Sequence, residues 1–199
     1  MLSQVANAGQ PASQASKNGP QIAAQGISTP GGLQALSPGG LTIIEGTNLT
    51  AAGWAAGVPL PRVLGNTFVS VEGVRAPLLT TATGSIEFEV PGDIPVGIAS
   101  VVVSSSGDTS ATVDMPFQTS IPVIWGVVHA DGSVVSAVNP VVAGETISLY
   151  ATGLGAANVN SLVGAAGPTA PTANTAGLRT SWLASATFRL TAISYSLRN

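Results

Sequence analysis

The chain has 199 residues, which is longer than one small β-sandwich and long enough for two of them. Its composition, 45% hydrophobic and only 8% charged, supplies a core and excludes a highly charged disordered chain. The net charge is −3 and the Lys and Arg residues are scattered, so neither nucleic acid nor a membrane surface is an expected partner. The chain has no cysteine, which excludes disulfides, thiolate metal sites and a cysteine nucleophile.

Residues 1–37 contain one charged side chain, Lys17, among Gln, Ala, Ser, Gly and Pro. They show neither the alternation of a strand nor the period of a helix, which is typical of a linker. The stretch up to Lys17 also lacks the basic and apolar segments of a signal peptide. We therefore predict a disordered N-terminal linker over 1–37, without a recognisable export signal.

After residue 37, short runs of Val, Ile and Thr alternate with turns rich in Gly and Pro, of which the chain has 24 and 14. This pattern, without a long stretch of helical period, predicts an all-β fold. The clearest strand is Ser85–Val90, in which three apolar residues alternate with Glu87 and Glu89. The other strands predicted before residue 118 are 41–45, 67–72, 98–104 and 110–117, the last two forming a hairpin.

Packed face to face, these strands would form a β-sandwich. Each large apolar side chain that it buries contributes about 1.5–3 kcal/mol. The predicted core residues are Ile43, Val69, Val71, Leu78, Ile86, Phe88, Val101, Val103 and Val113.

The strand-and-turn pattern resumes near residue 121. Strands are predicted at 123–129, 134–138 and 145–151, with a turn at Ala130–Ser133. The longest apolar run, 121–130, contains Pro and Gly and is far shorter than the roughly 20 residues of a membrane helix, so no membrane span is expected.

Pro38–Leu49 combines a Gly-Gly pair, an apolar strand and a Gly-x-Asn-Leu turn, in which Gly46 and Asn48 both tolerate left-handed backbone. This stretch resembles the opening of IPT/TIG domains, which are immunoglobulin-like modules. The resemblance continues in the family's order through Val69–Pro77, Ile86–Pro91 and Gly97–Val103, and covers roughly residues 38–118.

Leu149–Gly155, with the sequence LYATGLG, resembles part of an uncharacterised C-terminal module of large secreted acidobacterial (Solibacter-type) proteins, where it follows an IPT/TIG-like unit. Residues 179–199 lack the Gly and Pro pattern with which that module ordinarily ends. A frameshift, a truncated gene and divergence all remain explanations. The resemblances imply tandem immunoglobulin-like β-sandwiches at 38–118 and 119–199, with an atypical tail and with the completeness of the second sandwich left open.

His129 is the only histidine, and Asp131 lies two residues further on, a spacing that suggests a proton relay or a metal pair. However, Asp131 falls at the predicted turn, no Gly-x-Ser-x-Gly elbow supplies a nucleophile, and Ser133 lies in a loop. No dense acidic calcium loop is present, which leaves only a weak inter-domain calcium site as an alternative. We therefore expect no catalytic, cofactor-binding or metal-binding residues.

Glu87 and Glu89 share one strand face at a spacing of about 6.6–7 Å, which overlaps the separation of the carboxylates in inverting glycosidases. A solvated strand face explains the two carboxylates more simply.

Trp54 is the candidate ligand contact, because it lies in the loop 50–61, outside the strand pattern, and exposed aromatic rings can stack on sugars. The competing and favoured interpretation is a plug over one end of the sandwich, since large aromatic residues are mostly buried. Trp125 is predicted to pack in the core or between domains.

The IPT/TIG resemblance implies a spacer or a binding unit, as in bacterial adhesins and carbohydrate-acting enzymes. We expect a non-catalytic structural or interaction module of an exported or cell-surface bacterial protein, within a larger multidomain chain. Its partner would be an unknown protein or a polysaccharide. The alternatives are a carbohydrate-binding accessory domain that uses exposed aromatics, and a module whose open strand edges pair with another chain.

Overall fold

The computed structural model describes residues 18–156, 164–165 and 188–192. Within these ranges the protein has thirteen strands and no helix, so the predicted all-β class is confirmed there. The strands are β1 Gln21–Ser28, β2 Leu41–Thr47, β3 Gly53–Trp54, β4 Thr67–Val71, β5 Val74–Arg75, β6 Leu78–Thr81, β7 Ser85–Glu89, β8 Gly97–Ser105, β9 Asp108–Thr109, β10 Val113–Phe117, β11 Val123–His129, β12 Ile147–Thr152 and β13 Phe188–Ala192.

The strands form three sheets. Sheet A has the order β1-β2-β7-β6-β3, and sheet B has the order β10-β8-β4-β5 with β9 paired to β8. All pairings within these two sheets are antiparallel. Sheet C has the order β11-β12-β13, in which β12 is antiparallel to β11 and parallel to β13.

The inward side chains of sheets A and B form one buried cluster, as in a β-sandwich. The predicted core residues found fully buried in it are Val69, Val71, Leu78, Ile86, Phe88, Val101 and Val103. Val113 is only partly buried and packs against the cluster.

Ile43 was placed in the core wrongly, because Ile44 is the residue that β2 buries. The apolar run in β2 offers a hydrophobic residue to both faces, so its alternation does not define the phase. The pairing register with β7 defines which residue is buried: Ile44 lies opposite Ile86, whereas Ile43 lies opposite Glu87 on the outer face.

The linker prediction is wrong from residue 21 onward, because Gln21–Ser28 is the strand β1 and pairs with β2. Its pairing register shifts between Ile22 and Ile27, and Gln25 has a φ of 61°, so the strand lacks the regular alternation that sequence reasoning detects. The close pairing depends on Gly46, where a Cβ would lie 2.0 Å from the carbonyl oxygen of Gln21. Residues 1–17 of the predicted linker lie outside the described residues.

Sheet C contains the predicted strand 123–129 as β11, and most of the strand predicted at 145–151 lies in β12. The strand predicted at 134–138 is wrong. Val134 and Ser136 form isolated bridges instead, and Ser136 and Asn139 exchange backbone hydrogen bonds across a turn. Of the atypical tail 179–199, only the backbone of Phe188–Ala192 is described, as β13.

Candidate functional site

His129, at the end of β11, is almost buried between two hydrogen-bond acceptors. Its Nδ1 contacts the carboxylate oxygen Oε1 of Glu145, and its Nε2 lies 3.2 Å from the carbonyl oxygen of Asn139. A neutral imidazole has one N–H, so only the imidazolium donates to both acceptors. The hydrogen bonds to Glu145 and then to Asn139 accordingly raise the pKa of His129, and the bond to His129 lowers the pKa of Glu145.

Asp131, whose spacing from His129 suggests a proton relay or a metal pair, forms its hydrogen bonds with Ser133 instead. Its Oδ1 accepts hydrogen bonds from the backbone N–H of Ser133 at 2.9 Å and from the Ser133 hydroxyl at 2.7 Å, and these bonds lower the pKa of Asp131. The Ser133 hydroxyl also accepts a hydrogen bond from Asn139 Nδ2 at 3.2 Å. Ser133 is therefore bound to a turn carboxylate and is not aimed at the imidazole.

Glu145 completes the closure of the loop between β11 and β12. Its Oε2 accepts a hydrogen bond from the backbone N–H of Val142 at 3.1 Å, while Val142 accepts one from the Glu145 N–H. We call the set His129, Asp131, Ser133, Asn139 and Glu145 the His129 clasp. Its polar groups are occupied with each other, and within the described ranges no group of three or more His, Cys, Asp or Glu side chains is placed to hold a metal ion.

Trp54 lies in β3, the two-residue strand at the edge of sheet A, and its side chain is 77% exposed. The plug interpretation is therefore wrong. Trp125 is also exposed, at 51%, and its ring packs at 52° against that of Tyr150 with 5.7 Å between centroids. The prediction that Trp125 is buried in a core or interface is wrong as well.

The register of sheet A places Trp54 at one end of a row that crosses all five of its strands. Residues directly opposite each other in an antiparallel pair have side chains on the same face. Trp54 pairs with Thr80, Thr80 with Glu87, Glu87 with Ile43, and Ile43 with Ser28. We call these five residues the outer row. The adjacent row, Gly53, Thr81, Ile86, Ile44 and Ile27, faces the core.

The outer row carries hydrogen-bonding groups beside the exposed indole. The Thr80 hydroxyl donates to Oε2 of Glu87 at 3.3 Å, across the pairing of β6 and β7. Both side chains are half-buried by their neighbours in the sheet. The sequence predicted only that Glu87 lies on a solvated strand face, and it did not identify Thr80 as a site residue. Their alignment with Trp54 depends on the bulge between Leu78 and Thr80, which the sequence pattern does not show.

Glu89, two residues along β7 from Glu87, has a different environment. Its Oε2 accepts a hydrogen bond from the backbone N–H of Gly164 at 2.9 Å, and the Gly164 carbonyl in turn accepts one from the Leu60 N–H at 2.7 Å. Burial raises the pKa of Glu89 to about 7, opposed by the Gly164 hydrogen bond and the charge of Arg62. A glycosidase pair needs both carboxylates open to substrate, whereas the Gly164 turn lies against Glu89.

The LYATGLG string lies at the end of β12, where it contacts the segment before β2. The Thr152 hydroxyl accepts a hydrogen bond from the backbone N–H of Leu41 at 2.7 Å, and the Ser37 hydroxyl donates to the Gly153 carbonyl at 3.4 Å. Gly153 has a φ of 70°, and a Cβ there would lie 2.1 Å from the carbonyl oxygen of Ile121. These contacts join the end of β12 in sheet C to the start of β2 in sheet A and to the segment before it, and we call them the Thr152 seam.

No protein-family model and no curated protein matches the sequence. Among the described residues, no helix has the length and apolarity to cross a membrane.

Proposed function

We propose that the chain is a non-catalytic structural and interaction module of an exported or cell-surface bacterial protein. In this proposal it consists of tandem immunoglobulin-like units, the first of the IPT/TIG kind, within a larger multidomain protein. The enclosed core of sheets A and B supports the first unit. The His129 clasp supports a structural role for the one histidine, since both of its ring nitrogens face acceptors inside the protein.

The observation that carries the proposal is the Thr152 seam. A spacer transmits a defined distance only if its units are joined by direct contacts rather than by a free linker. The bond from Leu41 to Thr152 and the bond from Ser37 to Gly153 connect residues more than 110 positions apart in the chain. They fix the entry to β2 against the end of β12.

Spin labels test the spacer role, and the absence of native cysteine makes specific labelling straightforward. One cysteine replaces Val74 in sheet B and the other replaces Val138, which is 94% exposed in the loop after β11. Double electron–electron resonance should give one narrow distance distribution, and Thr152→Val should broaden it because the Leu41 N–H loses its acceptor. A broad distribution in the unsubstituted chain would refute a fixed spacer.

A second candidate function is a carbohydrate-binding accessory domain, and the exposure of Trp54 favours it. A large aromatic side chain left 77% exposed at a sheet edge offers a flat apolar surface to a ligand. Retention of the protein on insoluble polysaccharides, and loss of that retention in Trp54→Ala, is the test. Equal retention of both proteins would exclude Trp54 as the contact.

A further inference from the structure

We propose that the outer row of sheet A is a binding surface for a neutral polysaccharide chain that lies across the strands. Trp54 stacks on one sugar ring, and Thr80 and Glu87 bind the hydroxyl groups of the neighbouring sugars. This inference rests on the second candidate function above. It adds the class of glycan, the direction of the chain and two further contact residues.

The geometry of the sheet sets the direction. Neighbouring strands are about 4.8 Å apart, so Trp54 and Glu87, which are separated by one intervening strand, lie roughly 10 Å apart along the row. This spacing allows an extended chain of sugar rings to contact the indole and then the polar pair. A sugar chain that ran parallel to the strands would pass the end of β3 directly after the indole, because β3 has only two residues. It would then contact Trp54 but not Thr80 and Glu87.

The chemistry of the row matches a ligand with both apolar ring faces and hydroxyl groups. The indole supplies an exposed flat surface for the C–H face of a sugar ring. The Glu87 carboxylate has about four acceptor positions, and the Thr80 hydroxyl occupies one of them. The others accept sugar O–H groups in charge-assisted hydrogen bonds. Thr80 holds the carboxylate toward the Trp54 side of the row.

The charge of the surface selects against acidic glycans. Glu45 and Glu87 lie on the outer face of β2 and β7. Carboxylates repel uronate, sulfate and phosphate groups at these short separations, and the whole chain has a net charge of −3. The ligand is therefore a neutral polysaccharide.

The test is affinity electrophoresis of the whole chain in gels that contain soluble neutral polysaccharides, namely hydroxyethyl cellulose, glucomannan and xylan, with polygalacturonate as the acidic probe. We expect retardation in at least one neutral gel and none in polygalacturonate. Trp54→Ala should weaken binding at least tenfold. Glu87→Gln should weaken it about threefold to tenfold, since the amide loses the charge and one acceptor oxygen.

Trp125→Ala is the matched control, because Trp125 is also exposed but lies in sheet C, and its binding should equal that of the unsubstituted chain. Thr80→Val provides a second test of the polar pair if Glu87→Gln fails to fold, as checked by thermal unfolding. Retardation that depends on Trp54 but is unchanged in both Glu87→Gln and Thr80→Val would overturn the row and leave carbohydrate binding standing. No retardation by any neutral glycan, or preference for polygalacturonate, would overturn the inference, whereas the spin-label distances test the spacer function separately.

Discussion

The Nε2 atom of His129 lies 3.2 Å from the carbonyl oxygen of Asn139, while the opposite ring nitrogen contacts Glu145. Asn139 lies near the middle of the loop that connects β11 with β12, and Glu145 lies near the end of that loop, just before β12. When both ring nitrogens are protonated, His129 donates to both acceptors and closes this loop, so the protonation state of His129 is coupled to the stability of the loop.

The first prediction is that the His129 clasp stabilises the fold over a limited pH range. The raised pKa of His129 contributes stability that is present below pH 6.5 and lost as the pH rises through the folded-state pKa. The lowered pKa of Glu145 contributes stability that is present above pH 4.5 and lost as the pH falls through its folded-state pKa. The clasp is thus strongest between the two folded-state values.

Urea unfolding of the unsubstituted chain and of His129→Gln, followed from pH 2 to 9, measures this effect. The free energy of unfolding of the unsubstituted chain should fall as the pH rises above 6.5 and His129 loses its proton, whereas that of His129→Gln should not show this fall. Asp131 also has a lowered pKa, set first by Ser133, so part of the acid-side loss should persist in the variant. Parallel curves for the two proteins above pH 6.5 would contradict an imidazolium in the folded state.

The second prediction concerns the desolvated carboxyl of Glu89. Its pKa rises from 4.5 to about 7 on folding, so the folded state holds a proton that the unfolded state releases, and stability falls as the pH rises through this window. The shift corresponds to about 3 kcal/mol. Glu89→Gln keeps an oxygen for the Gly164 N–H without the charge, and we expect it to stabilise the protein by up to about 3 kcal/mol at pH 8.

The same substitution should change stability little at pH 4.5, where the folded-state carboxyl is already neutral. Denaturant unfolding of Glu89→Gln at both pH values is the measurement, with Glu45→Gln as the matched control at an exposed position of the same sheet face. An equal effect of Glu89→Gln at pH 4.5 and pH 8 would show that charge desolvation is not the cause. His129→Gln and Glu89→Gln together separate the contributions of these two groups, both of which have raised pKa values.

The buried face was predicted correctly for strands whose hydrophobic pattern has one phase. In β7 only Ile86 and Phe88 compete for the interior, so the pattern alone defines the buried face. In β2 the apolar run offers Ile43 and Ile44 to opposite faces, and the choice between them is made by pairing with a distant strand. The strand β1 was missed because a bulge and a left-handed residue interrupt its alternation.

The candidate sites were predictable only in part, for the same reason. His129 was identified as the chemically distinctive residue, but its partner Glu145 is placed by the pairing of β11 with β12, which sets His129 opposite Ile147. Trp54 was identified because it lies outside the strand pattern. Its alignment with Thr80 and Glu87 needs two strand registers and a bulge, none of which is encoded locally.

The third prediction tests the register of β2 with two adjacent substitutions of the same type. Ile44→Ala removes a fully buried side chain and should cost about 2–5 kcal/mol of unfolding free energy. Ile43→Ala acts on the outer face and should cost about 1 kcal/mol or less. Thermal and denaturant unfolding of the two variants provide the comparison, and a larger loss in Ile43→Ala would mean that β2 pairs in the opposite phase.

The fourth prediction is that Gly153, in the LYATGLG string, is required for steric reasons beyond its backbone conformation. An alanine there must adopt a φ near 70°, which costs about 1–2 kcal/mol, and its Cβ would lie 2.1 Å from the backbone oxygen of Ile121. We expect Gly153→Ala to lower the free energy of unfolding by about 1–3 kcal/mol more than this conformational cost, because the backbone must move to relieve the clash.

Gly32 is the matched control, because its φ is 79° and a Cβ there would meet nothing within 4 Å. Gly32→Ala should therefore lower the free energy of unfolding by the conformational cost alone. The difference in unfolding free energy between the two variants, measured by denaturant unfolding, gives the energy of the clash at Gly153. The clash also lies within the Thr152 seam, so Gly153→Ala should broaden the distance distribution between labels at positions 74 and 138, while Gly32→Ala should leave it narrow. Equal losses of stability in the two variants, with equally narrow distributions, would mean that Gly153 is needed only for its φ and that the seam tolerates a side chain at its centre.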